Sequence, residues 1–148
     1  MSLPPDEFTP DEIVHASCVA IGGRGVLLGG RSGAGKSDLA LRLIDRGAEL
    51  VSDDYTELRC VGETVLAQAP ERIAGKIEAR GVGLVELPET ARVPVCLCVD
   101  LDSTPERLPE AATVRLAGVE IPLVALAALE PSAPLKLEYA LVHFGLPL

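Results

Sequence analysis

The 148-residue chain has no tryptophan, two tyrosines and two phenylalanines, so rings make up 3% of it. A platform that holds nucleic acid by stacking bases needs such rings. Basic residues are also short, with 13 Lys and Arg against 22 Asp and Glu and a net charge of -9. Affinity for a nucleic-acid backbone comes from Lys and Arg on phosphates, so no nucleic-acid partner is expected. No apolar run approaches the ~20 residues of a membrane span. The start, Met1-Ser2-Leu3-Pro4-Pro5-Asp6-Glu7, has neither the basic residues nor the apolar core of a signal peptide. We therefore expect a cytoplasmic protein with no membrane attachment. The four cysteines, Cys18, Cys60, Cys96 and Cys98, contain no C-x-x-C pair, which argues against zinc or a redox dithiol. Cys96 and Cys98 alternate within Val95-Cys96-Leu97-Cys98-Val99 and are expected to share one buried face of a strand.

What is present in quantity is aliphatic. The chain is 48% hydrophobic, enough at this length for one core and a single domain over residues 1–148. Its most informative segment is Gly30-Arg31-Ser32-Gly33-Ala34-Gly35-Lys36-Ser37, which fits G-x-x-x-x-G-K-[ST]. Glycines let backbone N–H groups turn inward around a phosphate, Lys36 adds positive charge, Ser37 supplies an oxygen for Mg²⁺, and the following helix contributes its positive end. Val26-Leu27-Leu28 ahead of the loop reads as a buried strand of an α/β sheet. Leu39, Ala40, Leu43 and Ile44 after it fall at helical spacing from Ser37 to Arg46, with Gly47 placed as a left-handed C-cap. The residues predict an ATP·Mg²⁺-binding α/β domain.

Elsewhere, Leu3 to Asp11 reads as an arm and Ile13 to Ile21 as a first strand. Glu49 to Ser52 reads as a strand delivering Asp53 and Asp54 at its C-terminal end, where open α/β sheets place ligands. A hairpin is predicted over 56–61 and 64–68 about Gly62-Glu63, ended by Pro70. Residues 77–84 read as a glycine-broken loop entering a strand, 93–99 as the strongest later strand, and 114–125 as further β structure. Two short helices are expected at 127–129 and 135–141, around Pro131 and Pro134.

Phosphoryl transfer needs a carboxylate to orient or deprotonate the nucleophile. Asp53-Asp54 is one source, and Asp100, closing the apolar run 95–99, is another; pattern alone does not choose between them. Of the two histidines, His15 and His143, neither stands out by its own context.

The chain from His15 to Leu84 resembles the catalytic domain of bacterial HPr kinase/phosphorylase. The resemblance rests on four ordered matches: His15 upstream of the loop; the loop and helix from Gly30 to Gly47; Leu50-Val51-Ser52-Asp53-Asp54; and Ile77-Glu78-Ala79-Arg80-Gly81-Val82-Gly83, which fits I-E-x-R-G-x-G. It implies a P-loop-containing mixed sheet with flanking helices, similar to phosphoenolpyruvate carboxykinase. It also implies an ATP-dependent kinase for a serine of HPr, the phosphocarrier of the sugar phosphotransferase system, or of its nitrogen-related relative. Carried over residue by residue, it makes Asp53 the general base, Asp54 its support and His15 a partner that tunes the aspartate. Gly30 to Ser37 would hold the ATP phosphates, Ser37 and Asp38 the Mg²⁺, and Glu78 and Arg80 the metal and phosphate sides.

The chain departs from that family at Asp38, where glutamate is usual, and at Ala48, where histidine is usual. No G-R-N follows Ile121-Pro122-Leu123, so the arginine that serves the family's reverse, phosphate-releasing reaction is unmatched. The chain looks like a short form carrying the catalytic core, and its homo-oligomeric state is left open. The competing classes are an ATP-sensing module without phosphotransfer and a small-molecule P-loop kinase. The second lacks the arginine-rich lid it would need. A GTPase is disfavoured by the absence of N-K-x-D.

Overall fold

The computed structural model describes residues 8–148; most of the expected arm at 3–11 lies outside them. Eleven strands, one 3₁₀ turn and two α-helices follow in the order β1 (Glu12–Val14), β2 (Ala16–Ile21), β3 (Arg24–Gly29), α1 (Lys36–Asp45), β4 (Glu49–Ser52), β5 (Thr56–Val61), β6 (Thr64–Gln68), the 3₁₀ turn Glu71–Ile73, β7 (Lys76–Ala79), β8 (Gly83–Glu86), β9 (Val93–Asp100), β10 (Ala112–Leu116), β11 (Val119–Ala125) and α2 (Ala133–Phe144).

Nine strands form one mixed sheet ordered β1-β5-β6-β9-β3-β2-β4, with β11 on β9 and β10 on β11. β3, β9 and β11 run parallel, and β4 shares their direction because β2 is antiparallel to both β3 and β4. The C-terminal ends of β3, β4, β9 and β11 and the start of β2 therefore meet at one edge, the side on which α/β sheets bind ligands. The remaining pair, β7–β8, is a separate hairpin whose Ile77 is fully buried in the core beneath α1.

The sheet separates two apolar cores. One joins Val26, Leu28, Leu97 and Val99 to Leu39, Leu43, Leu137 and Leu141 of the helices. The other, with Cys18, Leu27, Val51, Leu58, Val65, Val95 and Ile121, contains no helical residue and is enclosed by the curling of the sheet itself. Helices thus flank one face, not both. At ~25 cal/mol per Å² of apolar surface, two aliphatic cores compensate for the near-absence of aromatic bulk.

α1 ends as its sequence predicts. The Ala48 amide donates to the Leu43 carbonyl and Gly47 to that of Ile44, both at 3.0 Å, with Gly47 at φ 111°. This is the paired bonding of a Schellman cap.

Four expectations are corrected. The first strand is broken at His15 into β1, which pairs with β5, and β2, which pairs with β3. The loop expected to enter a strand over 77–84 is itself a strand and a turn: β7 and β8 pair as a hairpin, and Gly81 and Gly83 adopt the positive φ of 90° and 121° that its turn requires. Of the two short helices, the one expected at 135–141 is part of a longer helix, Ala133–Phe144, which runs through Pro134 because that residue lies in its first turn, where a missing N–H costs no bond. Residues 127–129 are turn and irregular structure. Finally, Cys96 and Cys98 lie in different cores. Val95 pairs with Gly25 and Leu97 with Val26, so Cys96 is the extra residue of a β-bulge and alternation resets there.

Candidate functional site

β3 ends at Gly29, and the loop Gly30–Gly35 carries the chain into α1. Gly33 and Gly35 hold φ of 86° and 97°. A Cβ on Gly30 would lie 2.9 Å from Cβ of Ala34, and one on Gly35 would lie 3.1 Å from Cβ of Ala128. The loop geometry therefore requires glycine at these points. Lys36 is buried and folds back over the loop, donating to the Gly30 carbonyl at 2.5 Å and the Arg31 carbonyl at 3.1 Å. The Arg31 amide donates to Asp102 at 3.0 and 3.2 Å, which fastens the loop to the turn after β9. Arg31 and Ser32 are exposed at the mouth.

Beside the loop, β4 ends in the aspartate pair. Cys18 pairs with Ser52 but Val19 with Leu50, so Val51 bulges just before the strand end, a device that re-aims side chains. Asp53 is 8% exposed and nearly saturated. Its Oδ1 accepts from Ser37 Oγ at 2.6 Å and Ser17 Oγ at 2.9 Å, and its Oδ2 from the Glu78 amide at 3.0 Å. Asp54 points the other way. Its backbone is left-handed at φ 69°, a region Asp tolerates better than most residues, and its side chain is 55% exposed with Oδ1 2.8 Å from His15 Nε2. The His15 ring stacks on Tyr55 with centroids 5.0 Å apart. The loop serine, both aspartates and His15 are thus brought together by β2, β4 and α1.

Other candidates fall elsewhere. Asp38 pairs with Arg42 at 2.9 Å along α1. Glu78 reaches the site through its backbone amide, with its side chain exposed, and Arg80 is exposed at the β7–β8 turn. Asp100 is occupied by its own turn, accepting from the amides of Asp102 and Ser103 and from Ser103 Oγ at 2.6 Å. The Ser103 hydroxyl, helped by those two amides, holds its carboxyl below the usual range. His143, edge-on to Phe144, belongs to α2. Ser17, Tyr55 and Asp102 escaped sequence reasoning. Ser17 carries no signal, being one small polar residue in an apolar run.

The described residues contain no cluster of three or more His, Cys, Asp or Glu placed to hold a metal ion. Ser37 and Asp53 offer hard oxygens, and Mg²⁺ at kinase sites takes one or two protein ligands and completes its shell with phosphates and water. The donor set fits that cation.

The family model described as "HPr Serine kinase C-terminal domain" matches residues 6–91, more than half of the chain. The chain belongs to this family. Curated relatives named HPr kinase/phosphorylase include one from Chlorobium chlorochromatii, 38% identical over 136 residues covering 82% of this chain and 41% of the relative. Another, from Caldanaerobacter subterraneus, is 45% identical over 83 residues covering 55% of this chain and 27% of the relative. The chain thus spans well under half the length of these relatives. Among solved structures, one titled as the Hpr(Ser) kinase/phosphatase from Coxiella burnetii is similar at a TM-score of 0.78 and 26% identity, covering 89% of this chain and 95% of that one. The mixed α/β fold with a curled sheet and few helices is the fold of that kinase. No helix among the described residues is long and apolar enough to cross a membrane.

Proposed function

We propose that this HPr-kinase-family domain transfers the γ-phosphoryl group of ATP to a serine of an HPr-type phosphocarrier protein. The observation that carries the proposal is the contact of the loop serine with a strand-end carboxylate, Ser37 to Asp53, beside a second carboxylate that remains open to solvent and is held by a histidine. The loop amides and Lys36, turned from the Gly30 and Arg31 carbonyls, bind the phosphates. Ser37 and Asp53 hold Mg²⁺, with Glu78 nearby; when bound, the cation neutralises the charge that develops on the β and γ phosphates.

Within the aspartate pair, the hydrogen bonding supports a division of labour opposite to the one carried over from the resemblance. Asp53 already accepts three protein hydrogen bonds and is buried, which suits a fixed organiser of loop and cation. Asp54 has an oxygen free for an incoming hydroxyl, and His15 fixes its orientation. In the proposed step the substrate serine oxygen bonds to the γ-phosphorus, the bond to the β-phosphate oxygen breaks, ADP leaves, and Asp54 takes the hydroxyl proton. Arg80 is assigned to the phosphate side of the entering substrate.

The test is transfer from labelled ATP·Mg²⁺ to HPr by the wild type, Asp53→Asn and Asp54→Asn. Loss of turnover with nucleotide binding intact in Asp54→Asn supports the assignment. Wild-type rates in that variant with loss in Asp53→Asn would return the base role to Asp53, and ATP binding without transfer by the wild type would leave a sensor module.

A further inference from the structure

Ser17 is fully buried on β2, and its hydroxyl touches both aspartates. It donates to Asp53 Oδ1 at 2.9 Å and accepts from the Asp54 backbone amide at 3.0 Å. The two bonds run in opposite senses through a single oxygen, so one rotor fixes the carboxylate of one residue and the peptide of the next. The second bond has consequences because Asp54 lies at φ 69°, a conformation that a non-glycine residue keeps only when its surroundings hold it. With that left-handed turn Asp54 faces His15, Asp53 faces Ser37 and the chain reverses into β5. Two consecutive residues in ordinary extended backbone would also point apart, but without the reversal that starts β5 at Thr56.

Asp53 Oδ1 is shared by two serine hydroxyls, Ser17 and Ser37. The two donors are not equivalent. Ser37 opens α1 beside the loop, where its oxygen is wanted by a cation, and once it turns there it no longer donates to Asp53. Ser17 lies under the site on the sheet, has no such second duty, and stays. We infer that Ser17 is a positioning residue that holds Asp53 in place when Ser37 is drawn away and locks Asp54 in the left-handed conformation that presents its carboxylate to the substrate hydroxyl. For catalysis this rests on the kinase reading above; the conformational claim stands on the free chain.

Two readouts separate the levels. Removing the hydroxyl in Ser17→Ala frees the Asp54 amide, and its hydrogen exchange in the nucleotide-free chain is expected to accelerate at least about tenfold. In phosphotransfer, kcat is expected to fall about ten- to hundredfold while KM for ATP stays within about twofold, the pattern of a misaligned base with intact substrate binding. Ser17→Cys keeps the volume but not the hydroxyl and should behave as alanine does. Ser17→Thr keeps the hydroxyl and should restore both exchange and kcat toward wild type. Wild-type exchange and kcat in Ser17→Ala and Ser17→Cys would overturn the inference. So would a parallel loss of kcat and ATP affinity with Asp54 exchange unchanged, which would make Ser17 a general packing residue. If the wild type transfers no phosphate while the Ser17→Ala exchange effect is present, the kinase reading fails and the conformational role stands.

Discussion

On the proposed function Lys36 and Asp54 carry separable duties, and single substitutions pull them apart. Lys36→Ala removes the buried ammonium that folds over the loop and is expected to abolish ATP binding by calorimetry. Asp54→Asn keeps shape and hydrogen bonding but cannot accept the proton, so it should bind ATP normally and lower kcat about 10²–10⁴-fold, the usual worth of a general base. A second prediction concerns the buried thiols. Burial, the largest cause for both, raises Cys18 far above the ordinary value of 9.0 and pushes Cys98 up to about 12. Below pH 9 both thiols are protonated whether folded or not and cost nothing. Above it the unfolded chain releases protons the folded chain retains, so stability falls as pH rises, by about 1.4 kcal/mol per pH unit for each thiol. Urea midpoints at pH 8, 9 and 10 should show this slope, and Cys18→Ala should reduce it. At this scale the sequence discloses the residues whose chemistry is unusual: a loop lysine and serine, and a carboxylate pair. It does not disclose Ser17, whose role depends on the β4 bulge bringing a strand end across from it, nor which aspartate faces where, which depends on φ at Asp54.

β3, the glycine loop and α1 are legible because their determinants are local: an apolar strand, glycines at fixed offsets, helical spacing and a capping glycine. Gly35 illustrates how tightly that element is fitted. Its φ of 97° and the 3.1 Å approach of a Cβ to Ala128 mean that Gly35→Ala must strain the loop and displace the segment after β11. We expect a loss of about 1–3 kcal/mol in stability together with loss of ATP binding, read by denaturant unfolding and calorimetry. Wild-type affinity in that variant would contradict the assigned loop geometry. Elements whose form depends on neighbours were less legible. The β9 bulge that parts Cys96 from Cys98 shifts the register of β9 on β3, and no local pattern announces it. The β7–β8 hairpin was hidden by its glycines, which signal a turn without saying that two strands leave it.

Across the whole molecule, the curled sheet aligns the ends of parallel strands and the start of β2 at one edge, and every residue of the loop-aspartate-histidine group lies there. The acidic balance of the chain leaves Lys36 and the loop amides as the local positive groups at that edge, so on the proposed function nucleotide affinity depends on that edge rather than on the general field of the surface. Motif and spacing sufficed to place the chain in the HPr kinase family with a mixed α/β fold. The enclosure of a second core by sheet alone was not readable, because curvature arises from twist and bulges summed over nine strands. The most direct measurement is transfer of labelled phosphate from ATP·Mg²⁺ to HPr, with Asp54→Asn and an HPr lacking its target serine run alongside. Phosphoserine should form with the wild type on intact HPr and be lost in both controls. Transfer that persists with Asp54→Asn, or ATP binding without any transfer by the wild type, would contradict the proposed function.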